Sequence, residues 1–564
     1  MIGTSRSAGP ARRARSAAAI GTLIATLSVA GSALTNASSA APKTQTTATA
    51  TADAPVAMSA YDAAALEESG LVARLVGARD LWACGYGGAG VDVALIDTGV
   101  APVPGTGAIY NGPDLSFDPQ VGTPAHLDAF GHGTHLASLI NGRDPGVMPP
   151  SSCRTKVNAN KIDSDSLPQV NGFAGIAPDA RVVNLKVGAA DGAVDVTQVI
   201  AAIDWAVQNR NRNGLNIRVL AIPYGVNSTS APTSDPLSHA VSTATRAGIV
   251  VVAAAGNDGT SRVDLAYPAR NPDVVTVAAV DRAGSTDPKR WTVAPFSDRG
   301  TTERSPDVLV PAVDTPGLRV PGSYIDGTTT TQGNRFVRSS GTSQATAIVA
   351  GLAAQLVNKF PTATPLQVKT MLRDSTWQGG QGQVLKRVPV LYANRLLGAK
   401  PATTTAIQEL GTPTTGTAPV EALRSEGTLD INGVPLTGEI DVQGRPFGAW
   451  ATAATAGTSW SGGLWLGGRY SATPTTSGVG TAPWGNSWAG TPFRQVEGYG
   501  GTWDGLRWSG LRWSGLRWSG SDWEGLRWSG LRWSGTAWDG LRWSGQQWSG
   551  LRWSGLRWSG AQWS

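Results

Sequence analysis

Ser340-Gly341-Thr342-Ser343-Gln344-Ala345-Thr346 is a turn of small residues that runs straight into an apolar, alanine-rich segment ending at Phe360. Ala345, Ile348, Val349, Leu352, Ala353, Leu356, Val357 and Phe360 recur at helical spacing, and Pro361 stops the helix. Ser343 is thereby placed on the first turn of a buried helix. There the unpaired backbone N–H groups and the positive end of the helix dipole favour a developing negative charge. Two roles are open to such a serine, a helix cap or, with a base in reach, a nucleophile.

Upstream, short apolar strands alternate with amphipathic helices. The strands expected are Val91–Ile96, Arg181–Val187, Ile217–Ile222, Ile249–Ala255, Val274–Val280 and Val308–Val310. The helices are His132–Asn141, Val194–Asn209, Leu237–Arg246, Gln344–Phe360 and Leu366–Asp374, with a weaker helical stretch from Tyr61 to Trp82. This alternation means an α/β fold, a mostly parallel sheet with helices on both faces, whose ligands bind at the carboxyl ends of the strands. Asp97 and Ala255-Gly256-Asn257 sit at such ends. Asp144–Asn171 and Arg319–Arg338, rich in polar residues and Gly/Thr, read as surface insertions.

The pattern fades after Leu397. Residues 401–420 read as a Thr/Pro/Gly linker. In the region 421–500, β-rich and then Gly/Trp-rich, Asn432-Gly433 signals a hairpin. From 501 to 564 tryptophan recurs every five residues, thirteen times, mostly as Leu-Arg-Trp-Ser-Gly. A period of five fits neither helix nor strand. The tail is either a solenoid or, as its glycines favour, a low-complexity adhesive segment. Trp beside Arg offers stacking and cation–π surface to cell-wall polymer or a membrane surface.

Charge lies at the two ends. The net +6 comes from four arginines before residue 16 and from eight arginines against four acids after residue 500, leaving a slightly acidic body. That balance does not point to nucleic acid as a partner. Arg6 to Arg15, the apolar run Ala17–Leu34 and the small residues Ala37-Ser38-Ser39-Ala40 read as a signal peptide over 1–40, in preference to a retained anchor. Sec and Tat export are both open. The expected setting is therefore secreted, extracellular or wall-associated. In that setting Cys84 and Cys153, the two cysteines, are expected to pair. Closing so long a loop is worth roughly 4 kcal/mol in the chain-entropy picture.

Ser343 needs a base, a group that orients the base, and an oxyanion site. His132, in Gly131-His132-Gly133-Thr134-His135-Leu136-Ala137, is bared by its flanking glycines at a helix start. His135 is three positions on; the spacing and the missing Glu do not match the zincin pattern, so no metal is assigned. Asp97 at a strand end would hold the tautomer of His132, or would merely form a turn. Asn257, after the small residues Ala254, Ala255 and Gly256, would donate to an oxyanion, or would be a left-handed turn residue. Four such motifs in the order Asp…His…Asn…Ser favour the catalytic reading of each, because that is the chain order of subtilisin.

Residues 70–400 resemble the subtilisin-like serine proteases. Ala94-Leu95-Ile96-Asp97-Thr98-Gly99-Val100, the His132 motif and the Ser343 motif look like the family's three signatures. Gly175-Ile176-Ala177-Pro178, Ala254-Ala255-Gly256-Asn257, Tyr267-Pro268-Ala269 and Asp307-Val308-Leu309-Val310-Pro311 are supporting matches, and the tail is similar to Trp-Ser-Gly tails of secreted actinobacterial members. The resemblance implies Asp97, His132 and Ser343 as triad, Asn257 as oxyanion donor, and Tyr224, Gly225, Ala254, Ala255 and Gly256 as substrate-binding residues. It differs at Gln344 and Ala347 in the serine motif and at Pro223-Tyr224-Gly225, which stands where the family has a Ser-Leu-Gly substrate strand. Residues 41–69 leave room only for a disordered or reduced pro-segment.

The expected function is a secreted, monomeric serine endopeptidase acting on protein or peptide substrates. Its chemistry requires no cofactor, and family members often bind a structural calcium that no residue here can be assigned to. The alternative is an inactive protease scaffold serving as a surface-binding protein.

Overall fold

Strand β1 (Asp92–Asp97) is buried along its whole length, as a strand covered on both faces must be. Val93 and Leu95 face one apolar cluster with Leu136, Ile348 and Leu352. Ala94 and Ile96 face another with Val199, Ile203 and Val241. The period-two alternation of one apolar strand thus feeds two cores at once.

The computed structural model describes residues 58–116, 126–147, 153, 172–189, 192, 194–261, 264–326, 335–377, 390–391, 396–402, 410, 413–424, 430–431, 434–442, 444–469, 475–477, 506–507 and 512–513. The expected signal peptide, residues 41–57, most of the Asp144–Asn171 insertion and all but four residues of the repeat tail lie outside the described residues.

Around β1 lie β2 (Ile109–Asp114), β3 (Arg181–Lys186), β4 (Ile217–Ile222), β5 (Tyr224–Gly225), β6 (Val250–Ala254), β7 (Val275–Asp281), β8 (Thr292–Val293) and β9 (Val308–Pro311). The order β9-β7-β6-β4-β1-β3-β2 is parallel throughout. Antiparallel additions are β8 on β7 and 475–477 on β2. The helices α3 (His132–Asn141), α6 (Thr342–Lys359) and α7 (Pro365–Asp374) pack in the cluster beneath Val93 and Leu95. On the opposite face lie α4 (Val196–Asn209) and α5 (Pro236–Arg246). The α/β reading therefore holds, with strand and helix ends within two residues of those expected from periodicity.

Three segments differ from expectation. The break expected near residue 70 is absent. Helix α1 (Ala60–Leu75), capped by Ser59, runs through it, and α2 (Ala78–Ala83) follows. Tertiary contacts hold α1 down, because Asp62 Oδ1 accepts from the N–H groups of Arg335 (3.2 Å) and Phe336 (3.1 Å). The Arg319–Arg338 insertion is partly sheet. Its end lies in β11 (Phe336–Ser339), antiparallel to β10 (Thr315–Leu318), with Phe336 buried.

The third is the stretch after 400. Residues 413–424 dock on the protein surface and do not run free. Thr415 and Ala418 N–H donate to Thr233 and Ser234 carbonyls, each at 2.9 Å. Val420, Leu423, Phe447, Trp450 and Trp465 complete the α4/α5 core, and α8 (Trp450–Thr455) packs on α5. The expected hairpin is present, with Asp430–Ile431 antiparallel to Val434–Pro435. The disulfide joins Cys84, at the end of α2, to Cys153 in the insertion.

Candidate active site

Strands β1, β4 and β6 are neighbours in a parallel sheet, so their carboxyl ends open on one edge. Asp97 is the last residue of β1, Pro223 and β5 follow β4, and Ala255-Gly256-Asn257 follow β6. Helices α3 and α6 pack against each other beneath that edge and bring His132 and Ser343 to it on their first turns.

Asp97 and His132 form a buried pair. His132 Nδ1 lies 2.8 Å from Asp97 Oδ1 and 3.0 Å from Oδ2. A carboxylate on Nδ1 fixes the tautomer that leaves Nε2 as the base. The pair is itself held by groups that motif reading did not single out. Thr98 Oγ1 sits between Asp97 Oδ1 (3.1 Å) and Asp128 Oδ1 (2.8 Å) and accepts from Gly133 N–H (2.9 Å). Asp128 also accepts from Gly131 N–H (2.6 Å) and Thr134 N–H (2.7 Å), one on either side of His132. It is wholly buried, and burial pushes its carboxyl up from the ordinary value. Gly131 caps α3 at φ 103, a left-handed conformation that glycine adopts without strain. An Asp four positions before a helix-starting His is the sequence signal that could have found Asp128.

His135 does a different job from His132. Its Nε2 donates to the Thr315 carbonyl (3.2 Å), and burial pushes its pKa down to about 3, so it stays neutral in the core. Among the described residues, no group of three His, Cys, Asp or Glu side chains could hold a metal ion.

Ser343 Oγ donates to the Pro223 carbonyl at 3.1 Å. Its neighbour Thr342 orients Asn257. Asn257 Oδ1 accepts from Thr342 N–H (3.0 Å) and from Thr342 Oγ1 (2.9 Å). That fixes which end of the amide is the donor, and Nδ2 is buried with no hydrogen-bond partner among the described residues. The left-handed turn residue here is Gly256 (φ 116), not Asn257. A side chain at Gly256 would meet Asp298 Oδ2 at 2.1 Å. Asp298 Oδ1 in turn accepts from Asp258 and Gly259 N–H at 2.7 and 2.8 Å, holding the turn.

The expected substrate-binding residues divide. Ala254 and Ala255 are buried, and Ala255 N–H and C=O are bonded to Val277 and Ala266. Gly225 and Tyr224 form β5, whose main chain pairs antiparallel with Arg512–Trp513 of the tail. The Tyr224 side chain is buried in the α4/α5 core, so β5 has only main chain to offer a bound peptide. Gln344 is buried, and its Nε2 donates to Ser339 Oγ at 3.1 Å.

The Subtilase family profile matches residues 88–400, more than half of the sequence. The chain belongs to the subtilase family. Serine protease AprX of Bacillus subtilis (strain 168) is 32% identical over 298 residues, covering 51% of this chain and 62% of that protein. This subtilase thus spans under two thirds of that relative. The thermostable alkaline protease of Halalkalibacterium halodurans is 32% identical over 319 residues, 57% of this chain and 69% of that protein. Subtilisin BL of Lederbergia lenta is 30% identical over 319 residues, 57% of this chain and 93% of that protein. The solved structure of Sphericase aligns at 23% identity with a TM-score of 0.42, over 54% of this subtilase and 90% of that chain.

Proposed function

We propose that this subtilase is a secreted endopeptidase that hydrolyses peptide bonds through an acyl-enzyme, with Asp97, His132 and Ser343 as its triad. His132 Nε2 takes the Ser343 proton as Oγ attacks the peptide carbonyl. Asn257 Nδ2 and the Ser343 N–H hold the oxyanion, the latter at the positive end of α6. His132 then protonates the leaving amine, and water repeats the sequence on the ester. Asp97 stabilises the imidazolium. No cofactor enters these steps, and structural calcium is assigned no ligands.

The observation that carries this reading is the Asp97–His132 pair, set on the same sheet edge as an asparagine amide whose donor end is unused among the described residues. A fluorophosphonate probe tests it. Stoichiometric labelling that disappears in Ser343→Ala supports the triad, and an unlabelled protein with a normal melting transition sinks it.

The Trp/Arg tail we assign to holding the enzyme at wall polymer or a membrane surface, on composition alone. Binding of the full chain to cell walls is compared with that of a chain stopped at Gly500; equal binding removes this role. Among the described residues no helix is long and apolar enough to cross a membrane.

A further inference from the structure

The docked segment 413–469 lies beyond the family match, which ends at residue 400. It is bonded to the loop that leaves β5. Besides the bonds from Thr415 and Ala418, the Ala422 carbonyl accepts from Thr229 N–H at 3.4 Å. Arg424 is almost wholly buried. Its guanidinium meets both oxygens of Asp195 (2.9 and 3.1 Å) and the carbonyls of Gly438 (2.7 Å) and Ile440 (2.8 Å). Asp195 caps α4 through Thr197 N–H, and Asp235 caps α5 through Ser238 N–H. The Tyr224 side chain is buried in the same apolar cluster as Val420 and Leu423 of this segment.

We propose that the described parts of residues 413–469 are a clamp that positions β5 from behind, with Arg424 as its anchor and the loop that leaves β5, together with the apolar cluster that holds Tyr224, as the place it grips. This rests on the reading of β5 as the edge that pairs with substrate. An extended peptide adds to that edge through main-chain hydrogen bonds, so a displaced edge weakens binding without touching the triad.

The test is the double variant Arg424→Gln/Asp195→Asn. It removes both charges together, so neither is left buried alone, and asparagine keeps the cap on α4. For a peptide substrate of four or more residues KM rises about tenfold at unchanged kcat. A single-residue ester and fluorophosphonate labelling of Ser343 keep their rates. KM values that do not move, or that move equally for peptide and ester, overturn the proposal. Val420→Ala is a milder second variant should the double one fail to fold, with the same split expected and the same result fatal. A parent enzyme that neither labels nor hydrolyses would instead refute the protease reading.

A separate observation concerns the tail. Ser343 and His132 have no exposed surface in the full chain, while Arg512–Trp513 lie antiparallel on β5, next to the Pro223 carbonyl that accepts from Ser343. We infer that a tail repeat occupies the substrate edge in cis as a competitive ligand, again on the reading of β5 as that edge. Tethering holds even a weak ligand at high effective concentration, and thirteen repeats offer alternative occupants. A chain stopped at Gly500 labels faster with fluorophosphonate than the full chain, and a synthetic peptide of two Leu-Arg-Trp-Ser-Gly units slows the labelling of that shortened chain competitively. Equal labelling rates of the two chains, or no protection of the shortened chain by the peptide at millimolar concentration, overturn the inference. An unlabelled full chain and shortened chain would refute the protease reading instead.

Discussion

Asn257 hands its carbonyl oxygen to Thr342, N–H and hydroxyl both, and its buried amide nitrogen meets no acceptor among the described residues. Replacing Asn257 by Leu removes one oxyanion donor and is expected to lower kcat about 10²–10³-fold with little change in KM. Thr342→Val keeps the backbone bond, loses the hydroxyl and lowers kcat by a smaller factor. Steady-state kinetics on a peptide substrate checks both. A normal kcat in Asn257→Leu would remove Asn257 from the reaction.

Asp128 ties together the two halves of the Asp97–His132 pair. Asp128→Ala releases Thr98 and the N–H groups flanking His132, and kcat is expected to fall about 10²-fold, the scale set by misplacing a catalytic group by an ångström. Asp128→Asn keeps the shape and one acceptor, and should recover part of the loss. Equal defects in the two variants, in parallel with equal losses of melting temperature, would reduce Asp128 to a structural role.

Asp204 on α4 accepts from the indole N–H groups of Trp450 and Trp465, and burial pushes its carboxyl up to about 6. The folded chain therefore holds a proton that the unfolded chain gives up near pH 4. This contribution to stability is full below about pH 4 and is lost as the pH rises through about 6, up to about 3 kcal/mol. Asp204→Asn removes it. The melting temperature of the parent, relative to that of the variant, falls between pH 4.5 and 7. Asp235, also near 6, titrates in both proteins and cancels. Parallel melting curves would disprove the assignment.

The disulfide closes a loop with a sequence separation of 69 between Cys84 and Cys153. Cys84→Ser/Cys153→Ser is expected to lose about 2–4 kcal/mol in denaturant titrations, with kcat per labelled Ser343 unchanged. An unchanged unfolding midpoint would show that the bridge does not constrain the unfolded chain.

Much of the catalytic half was legible because its signals are local. Apolar runs of six residues mark strands buried on both faces. The 3.6-residue spacing after Ser343 marks α6. The Asp97, His132 and Ser343 motifs each carry their own turn chemistry. The docking of residues 413–469 was not legible, because a Thr/Pro/Gly composition reads the same whether its N–H groups meet water or the Thr233 and Ser234 carbonyls. Tyr224 lies in a short extended segment after β4, but which face its ring takes depends on α4 and α5. The long-range hydrogen bonds to α1 come from residues more than 200 positions away, so weak periodicity there understated a well-held helix.

By itself the sequence determined the sheet, the chain order of the candidate residues and the pairing of two cysteines, since these follow from side-chain periodicity, short motifs and counting. Only the tertiary structure decided how the site is held. Thr342 chooses the orientation of Asn257, Asp128 steadies the loop before His132, and Arg424 closes a C-terminal segment onto the core behind β5. The Thr98–Asp128, Thr342–Asn257 and Arg424–Asp195 hydrogen bonds span 30, 85 and 229 positions of the chain, and no local pattern encodes a distance across a fold.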